Sequence, residues 1–591
     1  MNTIDIILMI LQLFCGLAIF LFGMDVMGDA LKKAAGSRLK DLLGKLTSNP
    51  IKGFLLGLIV TAVIQSSSAT TVMVVGFVNS GAMTLLQSVG VILGANLGTA
   101  VTAWLTAPAA MGGAVKEGAT FMDLLKTDGW MPILAVIGIV LVMFFNKGKK
   151  KDIGTVLLGF AVLMTGMELM SGSVSGIRDD IGGILKVFEN PILGLFAGLI
   201  LTVIVQSSSA SVGILQSIVG AGGAMTFGAA LPIVLGQNIG TCVTAMISSV
   251  GANKNGKRAA VIHLSFNVIA AVIVLALFYA SNAIFSYIDT AFYIDAWWVA
   301  IIHTVYKIIA IAIIFPFYKQ LEKLSHVLVK DKKGSEESIA SALDERLLPT
   351  PAVAAGIATD VAYTMAGVSF DAFYKSLAVY NGPFDPKLAE EVRELESKAD
   401  VYEDALGSYL VKLSAVDMDI KTSEQITKLL HIIGDLERIS DHAVNVVESA
   451  EEIKDKKISF SSEAKRELAV LESAVREVLE MTHKALTTGD IALATEVEPL
   501  EEVVDDLRDQ IKLNHILRLQ KSECTIELGF VLSDVLNNFE RVADHCSNIA
   551  ACVIEIANED ALDMHKYTAK TKHGSEEFKE RYAAYTAKYT L

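Results

Sequence analysis

Two stretches of apolar sequence carry the same polar phrase, Gln65-Ser66-Ser67-Ser68-Ala69-Thr70-Thr71 and Gln206-Ser207-Ser208-Ser209-Ala210-Ser211-Val212. Four consecutive hydrogen-bonding side chains in hydrocarbon are costly unless something polar meets them, because lipid supplies no water. Two copies imply a site. A half-helix that starts at Ser66 or Ser207 points unpaired N–H groups at the site centre, and serine hydroxyls add further donors for an anion. The side-chain oxygens of Gln65, Gln206, Asn96, Asn238, Thr99 and Thr241, together with freed carbonyls, are hard ligands suited to an alkali cation. Neither phrase holds an acidic residue or has a Lys or Arg beside it. A proton-coupled site more often carries an intramembrane Asp or Glu, so neutral oxygens favour sodium over protons.

The phrases belong to a longer duplication. Asn49-Pro50 and Asn190-Pro191 precede them at the same distance, and a Gly-Ala-Met-Thr phrase follows each, Gly81 to Thr84 and Gly223 to Thr226. Further on, Gly94-Ala95-Asn96-Leu97-Gly98-Thr99 matches Gly236-Gln237-Asn238-Ile239-Gly240-Thr241. Matching of this length marks an internal repeat, placed at about 31–146 and 172–281. A smaller echo pairs Ile262-His263-Leu264-Ser265-Phe266-Asn267 with Ile302-His303-Thr304-Val305-Tyr306-Lys307. The histidines are ligands or proton relays on one reading and partners of a neighbouring helix on the plainer one; Lys307, midway along a span, needs a partner.

The elements that hold these residues must be membrane helices. The 591 residues are 52% hydrophobic, mean hydropathy is +0.49, and the apolar runs end near residue 318, which makes residues 1–318 a membrane domain. Seven crossings are predicted, at about 5–28, 85–106, 130–146, 153–171, 226–249, 259–281 and 296–317. The first run has no basic segment before it and reads as a retained span, not a cleaved leader. Basic residues such as Lys32, Lys33, Lys149, Lys150, Lys254, Lys257 and Arg258 fall on alternate loops, which predicts an outside N-terminus and a cytoplasmic C-terminal part in the plasma membrane. Each Gln-Ser-Ser-Ser segment is best placed at the tip of a re-entrant hairpin, since irregular backbone at depth is tolerated only where it lines a cavity. Three crossings separate the two hairpins, so they enter from opposite sides and the repeats are inverted. These phrases resemble the sodium-dependent phosphate cotransporters, the type II Na/Pi group and its bacterial relatives, over about residues 1–318. The resemblance implies a sodium-coupled carrier of inorganic phosphate, with Gln65 to Ser68 and Gln206 to Ser209 forming the phosphate and sodium site. Lys307 departs from the Asn often seen at that place, which puts that position's role in doubt.

After a linker at 319–351, residues 352–560 read as long amphipathic helices with few Gly or Pro, and a polar helical tail fills 561–591. Leu436-Glu437-Arg438-Ile439-Ser440-Asp441-His442 recurs as Phe539-Glu540-Arg541-Val542-Ala543-Asp544-His545, and Glu396 with Asp400 recurs as Glu501 with Asp505. Glu and Asp four apart share a helix face, so two such faces converge four carboxylates per bundle. A multivalent cation relieves their repulsion on one reading, and Arg438 and Arg541 neutralise them on the other. These phrases resemble PhoU-type phosphate-regulon proteins, built of two three-helix bundles. The resemblance implies a regulatory role, with Glu396, Asp400, Glu437, Asp441, Glu501, Asp505, Glu540 and Asp544 as ligands of iron or another transition metal.

The fold expected is thus all-α, a polytopic membrane domain with inverted repeats followed by a pair of three-helix bundles. Net charge of −15, carried largely by the second part, argues against a nucleic-acid partner. Expected partners are phosphate, sodium, lipid, phosphate-regulon signalling proteins and a second copy of the chain as a homodimer. Five cysteines without CxxC spacing read as buried or reduced thiols. The serines lack a G-x-S-x-G setting and no G-x-x-x-x-G-K-[ST] loop is present, so the chain reads as no enzyme. A phosphate sensor that no longer transports is the alternative, and the direction of transport is open.

Overall fold

A computed structural model describes residues 3–46, 49–111, 127–145, 148–175, 185–220, 225–330, 342–557 and 576–591. Residues 112–126, the start of the second Gly-Ala-Met-Thr phrase, part of the linker and the tail before Glu576 lie outside the described residues. The chain divides into two compact units, Met1–Val353 and Ala354–Leu591. Among the described residues the regular structure is helical, apart from one isolated bridge between Thr226 and Tyr293.

In the first unit α1 (Thr3–Leu46) packs along α7 (Lys149–Ser175), which also packs against α6 (Thr127–Phe144). The duplicated core follows the Asn-Pro signals. Asn49 and Asn190 cap α2 (Pro50–Ile64) and α8 (Pro191–Val205), each side chain accepting from the N–H two residues on, at 2.9 Å and 3.0 Å. Proline at the first helical position loses no hydrogen bond there. Each helix ends at a glutamine in the left-handed region, Gln65 at φ 59° and Gln206 at φ 54°. The chain then restarts as α3 (Ser67–Asn79) and α9 (Ser208–Gly220).

Fifteen residues in α2 make a rod of about 22 Å, short of the roughly 30 Å hydrocarbon layer. The chain reverses at its end. In a continuous helix Thr61 and Thr70 would stand about 13 Å apart, yet the Thr61 hydroxyl donates to the Thr70 hydroxyl at 3.0 Å, and Thr202 donates to Ser211 at 2.8 Å in the second copy. The hairpin geometry is therefore present twice.

Each entering half-helix lies against the helix after its hairpin, α2 on α4 (Leu85–Gly98) and α8 on α10 (Phe227–Gly240). Glycine permits this approach. A Cβ on Gly94 would sit 1.9 Å from the Phe54 carbonyl oxygen, and one on Gly236 would sit 1.9 Å from that of Leu195. The spans predicted at 85–106 and 226–249 are present as Leu85–Ala110 and Phe227–Ser248, each with a one-residue irregularity, at Thr99 before α5 (Ala100–Ala110) and at Thr241 before α11 (Cys242–Ser248), where φ and ψ stay right-handed helical. Polar side chains inserted at those two places compete with the helical ladder. The later spans appear as α12 (Lys254–Phe285) and α13 (Ala296–Ile314), followed by α14 (Tyr318–Leu328).

The second unit is built from α15 (Pro351–Asn381), α16 (Pro386–Ser414), α17 (Ile420–Asp455), α18 (Ser462–Thr488), α19 (Ile491–Gln520), α20 (Ile526–Ala557) and α21 (Glu576–Lys588). By length and composition α15 could also cross a membrane; its residues from Ala354 onward belong to this unit, and its Phe370 and Phe373 are buried. Helices α17 and α20, which carry the paired E-R-x-x-D-H phrases, pack on each other. The tail helix α21 lies on α19, where Arg581 pairs with Glu496 at 3.0 Å.

Gly94→Ala and Gly236→Ala are expected to abolish a monodisperse detergent-solubilised protein, each costing more than about 3 kcal/mol as overpacking against backbone. Gly172→Ala, where an added Cβ meets nothing within 4 Å, should leave the elution profile and melting temperature unchanged or raised.

Candidate functional site

The two hairpin tips share one local design. Ser66 caps α3 by accepting from the Ala69 N–H at 3.1 Å, and Ser207 accepts from the Ala210 N–H at 3.2 Å. The half-helices thus begin one residue later than the sequence suggests, at Ser67 and Ser208, because the first serine of each phrase serves as the cap. Ser67, Ser208 and Ser209 are buried, and Ser68 is half-buried. Among the described residues their hydroxyls engage no protein partner, which leaves them available beside the first N–H groups of a helix. That is a donor set for an anion.

Thr99 and Thr241 supply the complementary chemistry. Each is buried at a helix break, and each hydroxyl donates back to its own helix, Thr99 to the Ala95 carbonyl at 3.2 Å and Thr241 to the Gln237 carbonyl at 3.0 Å. With its proton so engaged, the hydroxyl keeps its lone pairs for a cation.

The repeats meet on Asn267 of α12. Its carbonyl oxygen accepts from the Asn96 amide at 2.8 Å and also from the Asn238 amide, while its own NH2 donates to the His263 carbonyl at 2.9 Å and to the Cys242 sulfur at 3.1 Å. Every donor and acceptor of this amide is used. The predicted site residues Asn96 and Asn238 are therefore joined through a residue to which the sequence reading gave no role. The Asn that closes the first His phrase, one turn after His263, was the available signal.

The copies differ in accessibility. Gln65 is buried and accepts from the Thr102 hydroxyl at 2.9 Å, whereas Gln206 is exposed. Two further glutamines went unnoticed because single polar residues in apolar helices carry no pattern. Gln216 accepts from Thr106 at 2.5 Å and donates to the Ala103 carbonyl at 2.8 Å, tying α9 to α5. Gln237 donates to the Ser211 carbonyl at 2.9 Å, and its own Oε1 is buried without a partner.

In the second unit Glu396, Asp400 and Asp441 bring their carboxylates within 4.8 Å of one another. Burial and the charges of Asp441, Asp400 and Glu403 push the Glu437 carboxyl up to about 7, and burial with Asp400 raises Glu396 and Asp441. A half-buried set of hard, mutually repelling oxygens fits a multivalent cation. The related cluster differs. Arg508 reaches Glu540 at 2.8 Å and Asp505 at 3.3 Å, and the exposed Arg541 approaches Asp544 at 3.7 Å. Glu501 instead gathers with Glu498 and Glu502 within 4.8 Å, and burial, then Glu498, raises it to about 9. The position that holds Arg508 here is held by Glu403 in the first bundle, so Arg508 pairs with part of the second set while Glu498, Glu501 and Glu502 form another carboxylate group of the kind a cation could bridge.

Fold and site together define a polytopic helical membrane carrier with a duplicated polar core, joined to a helical bundle domain. The chain belongs to the Na+/Pi-cotransporter family, whose model matches residues 19–172 and 178–324. A PhoU domain matches residues 363–450 and 469–553. YjbB of Escherichia coli strain K12, a candidate inorganic phosphate export protein, is 24% identical over 94% of this chain and 99% of its own length. Sodium-dependent phosphate transport protein 2A of Rattus norvegicus is 28% identical over 30% of this chain and 26% of its own. The crystal structure of the regulatory protein PhoU from Streptococcus pneumoniae covers 35% of this chain and 97% of its own, at 16% identity and a TM-score of 0.32.

The raised carboxyls fix a pH dependence for the metal-stripped protein. A folded-state value above the unfolded one contributes stability below the ordinary carboxylate range, and this is lost as pH rises through about 7 for Glu437. Thermal unfolding of the second unit in chelator should fall by a few degrees from pH 5 to pH 8. Added divalent metal, or Glu437→Gln, should remove most of that fall; an identical slope with and without metal would count against the cation reading.

Proposed function

We propose that this chain is a sodium-coupled secondary transporter of inorganic phosphate. The phosphate is held by the Ser67, Ser68, Ser208 and Ser209 hydroxyls and the adjoining helix N–H groups, and sodium by the Thr99 and Thr241 oxygens with nearby carbonyls. The observation that carries the reading is the doubling of the hairpin tips, with both copies joined at Asn267. A site at the junction of two repeats, formed by interrupted helices, suits alternate exposure to the two sides of a membrane. The repeats are inverted in this reading, with the N-terminus outside and the PhoU-like unit in the cytoplasm. There a multivalent cation at Glu396, Asp400, Glu437 and Asp441 would neutralise the first cluster and lock α16 to α17. Regulation follows from coupling that unit's state to the carrier.

Purified protein in liposomes is expected to move radioactive phosphate when a sodium gradient is imposed and not when choline replaces sodium. Gradients of both signs report the direction. Asn267→Ala and the double change Ser208→Ala with Ser209→Ala should each lower the sodium-dependent rate at least about tenfold, as lost polar contacts worth roughly 1.4 kcal/mol or more would. Flux equal to wild type in both variants would remove the duplicated tips from the transport path.

A further inference from the structure

Lys307 is 1% exposed at the middle of α13, and its Nζ donates to the Asn96 carbonyl oxygen at 2.6 Å. That carbonyl stands in the last turn of α4, which ends at Gly98. The final carbonyls of a helix have no intrahelical partner and carry the partial negative charge of its macrodipole. No carboxylate pairs with Lys307 among the described residues. Its other neighbours are neutral or weakly polar: the Tyr306 ring lies 6.0 Å away, and His263 and His303 stand within electrostatic reach. The Nδ1 atoms of both histidines and the Tyr306 hydroxyl are buried without hydrogen-bond partners, and the Cys242 thiol points to the His263 carbonyl at 3.7 Å.

Interrupted helices in membrane carriers commonly present such C-terminal carbonyls to an alkali ion. The internal echo of this chain places a neutral amide, Asn267, where the second copy has Lys307. Asn96 is thereby engaged twice, its side chain by Asn267 and its carbonyl by Lys307. In the related helix α10 the Asn238 carbonyl accepts from the Cys242 thiol, at 3.8 Å, and no ammonium meets it among the described residues.

We propose that the Lys307 ammonium is a tethered cation that fills, at the Asn96 carbonyl in the last turn of α4, a position a sodium ion would otherwise take. Lys307 is a coupling-determining residue: it supplies one positive charge that stays with the protein, so each phosphate crosses with one sodium fewer than the oxygen set alone would admit. The inference rests on the sodium-coupled reading for its transport consequence, but its direct consequence is the number of ions bound.

Saturation binding of radioactive sodium to the full-length protein in detergent separates the two. Lys307→Asn is expected to bind one more sodium ion per chain than wild type, and Lys307→Arg, which keeps the charge, the same number as wild type. Should the Asn variant fail to elute as a single species, Lys307→Gln serves in its place. An unchanged sodium count in the neutral variants overturns the proposal. In liposomes the neutral variant should show a sodium dependence of phosphate flux steeper by about one ion in Hill slope, with slower flux at low sodium. Failure of wild-type flux alone would reject the sodium-coupled reading and leave the bound-ion difference to decide Lys307.

Discussion

The amide of Asn267 is the interaction on which the rest of the membrane unit depends. One carbonyl oxygen accepts from Asn96 and Asn238, residues contributed by the two repeats, and both amide protons are taken by α12 and Cys242. In a low-dielectric interior a fully satisfied network of this kind is strongly favoured, and losing any member strands the others. It fixes α4 and α10 relative to one another. The close glycine approaches then bring α2 and α8 against those helices, and the two hairpin tips are held where four uncommitted serine hydroxyls can face a ligand.

Much of this was legible because duplication doubles every signal. Asn-Pro starts, Gln-Ser-Ser-Ser tips and Asn-x-Gly-Thr segments recur in the same order with a drift of a single residue, and the contacts that they make recur with them, Thr61 with Thr70 and Thr202 with Ser211. What stayed hidden was how individual polar residues are used. Gln216 stands alone in an apolar run, and Gln237 and Thr102 lie in or beside the repeated phrases without any sign of their partners; only the fold shows that they tie helices together or face a buried space. The irregularities at Thr99 and Thr241 lie inside crossings of the expected length, because hydropathy registers length and apolarity and is blind to a single residue's departure from the helical ladder.

The second unit shows the limit of arguing from repetition. Its two carboxylate clusters are written alike, yet Arg508 engages Asp505 and Glu540 where the first bundle has Glu403. The change of charge sign gives Asp505 and Glu540 a guanidinium partner, yet Glu501 beside them stays raised, to about 9, by burial and Glu498. Repetition tells where carboxylates gather; the neighbouring residues decide how each gathering is balanced.

The left-handed glutamines at the tips carry a mechanical meaning. A bend made by glycine would be supple, because glycine gives access to many backbone states; Gln65 and Gln206 hold positive φ against a penalty of about 1 kcal/mol or more. The tips are stiff elbows. Each pair of half-helices is therefore joined through its elbow as one lever, and a load on either half passes to the other with no local uncurling of the chain between them. The two elbows share one internal geometry and differ in exposure, Gln65 shut in and Gln206 open, so what distinguishes them is the packing around each lever and not the bend itself.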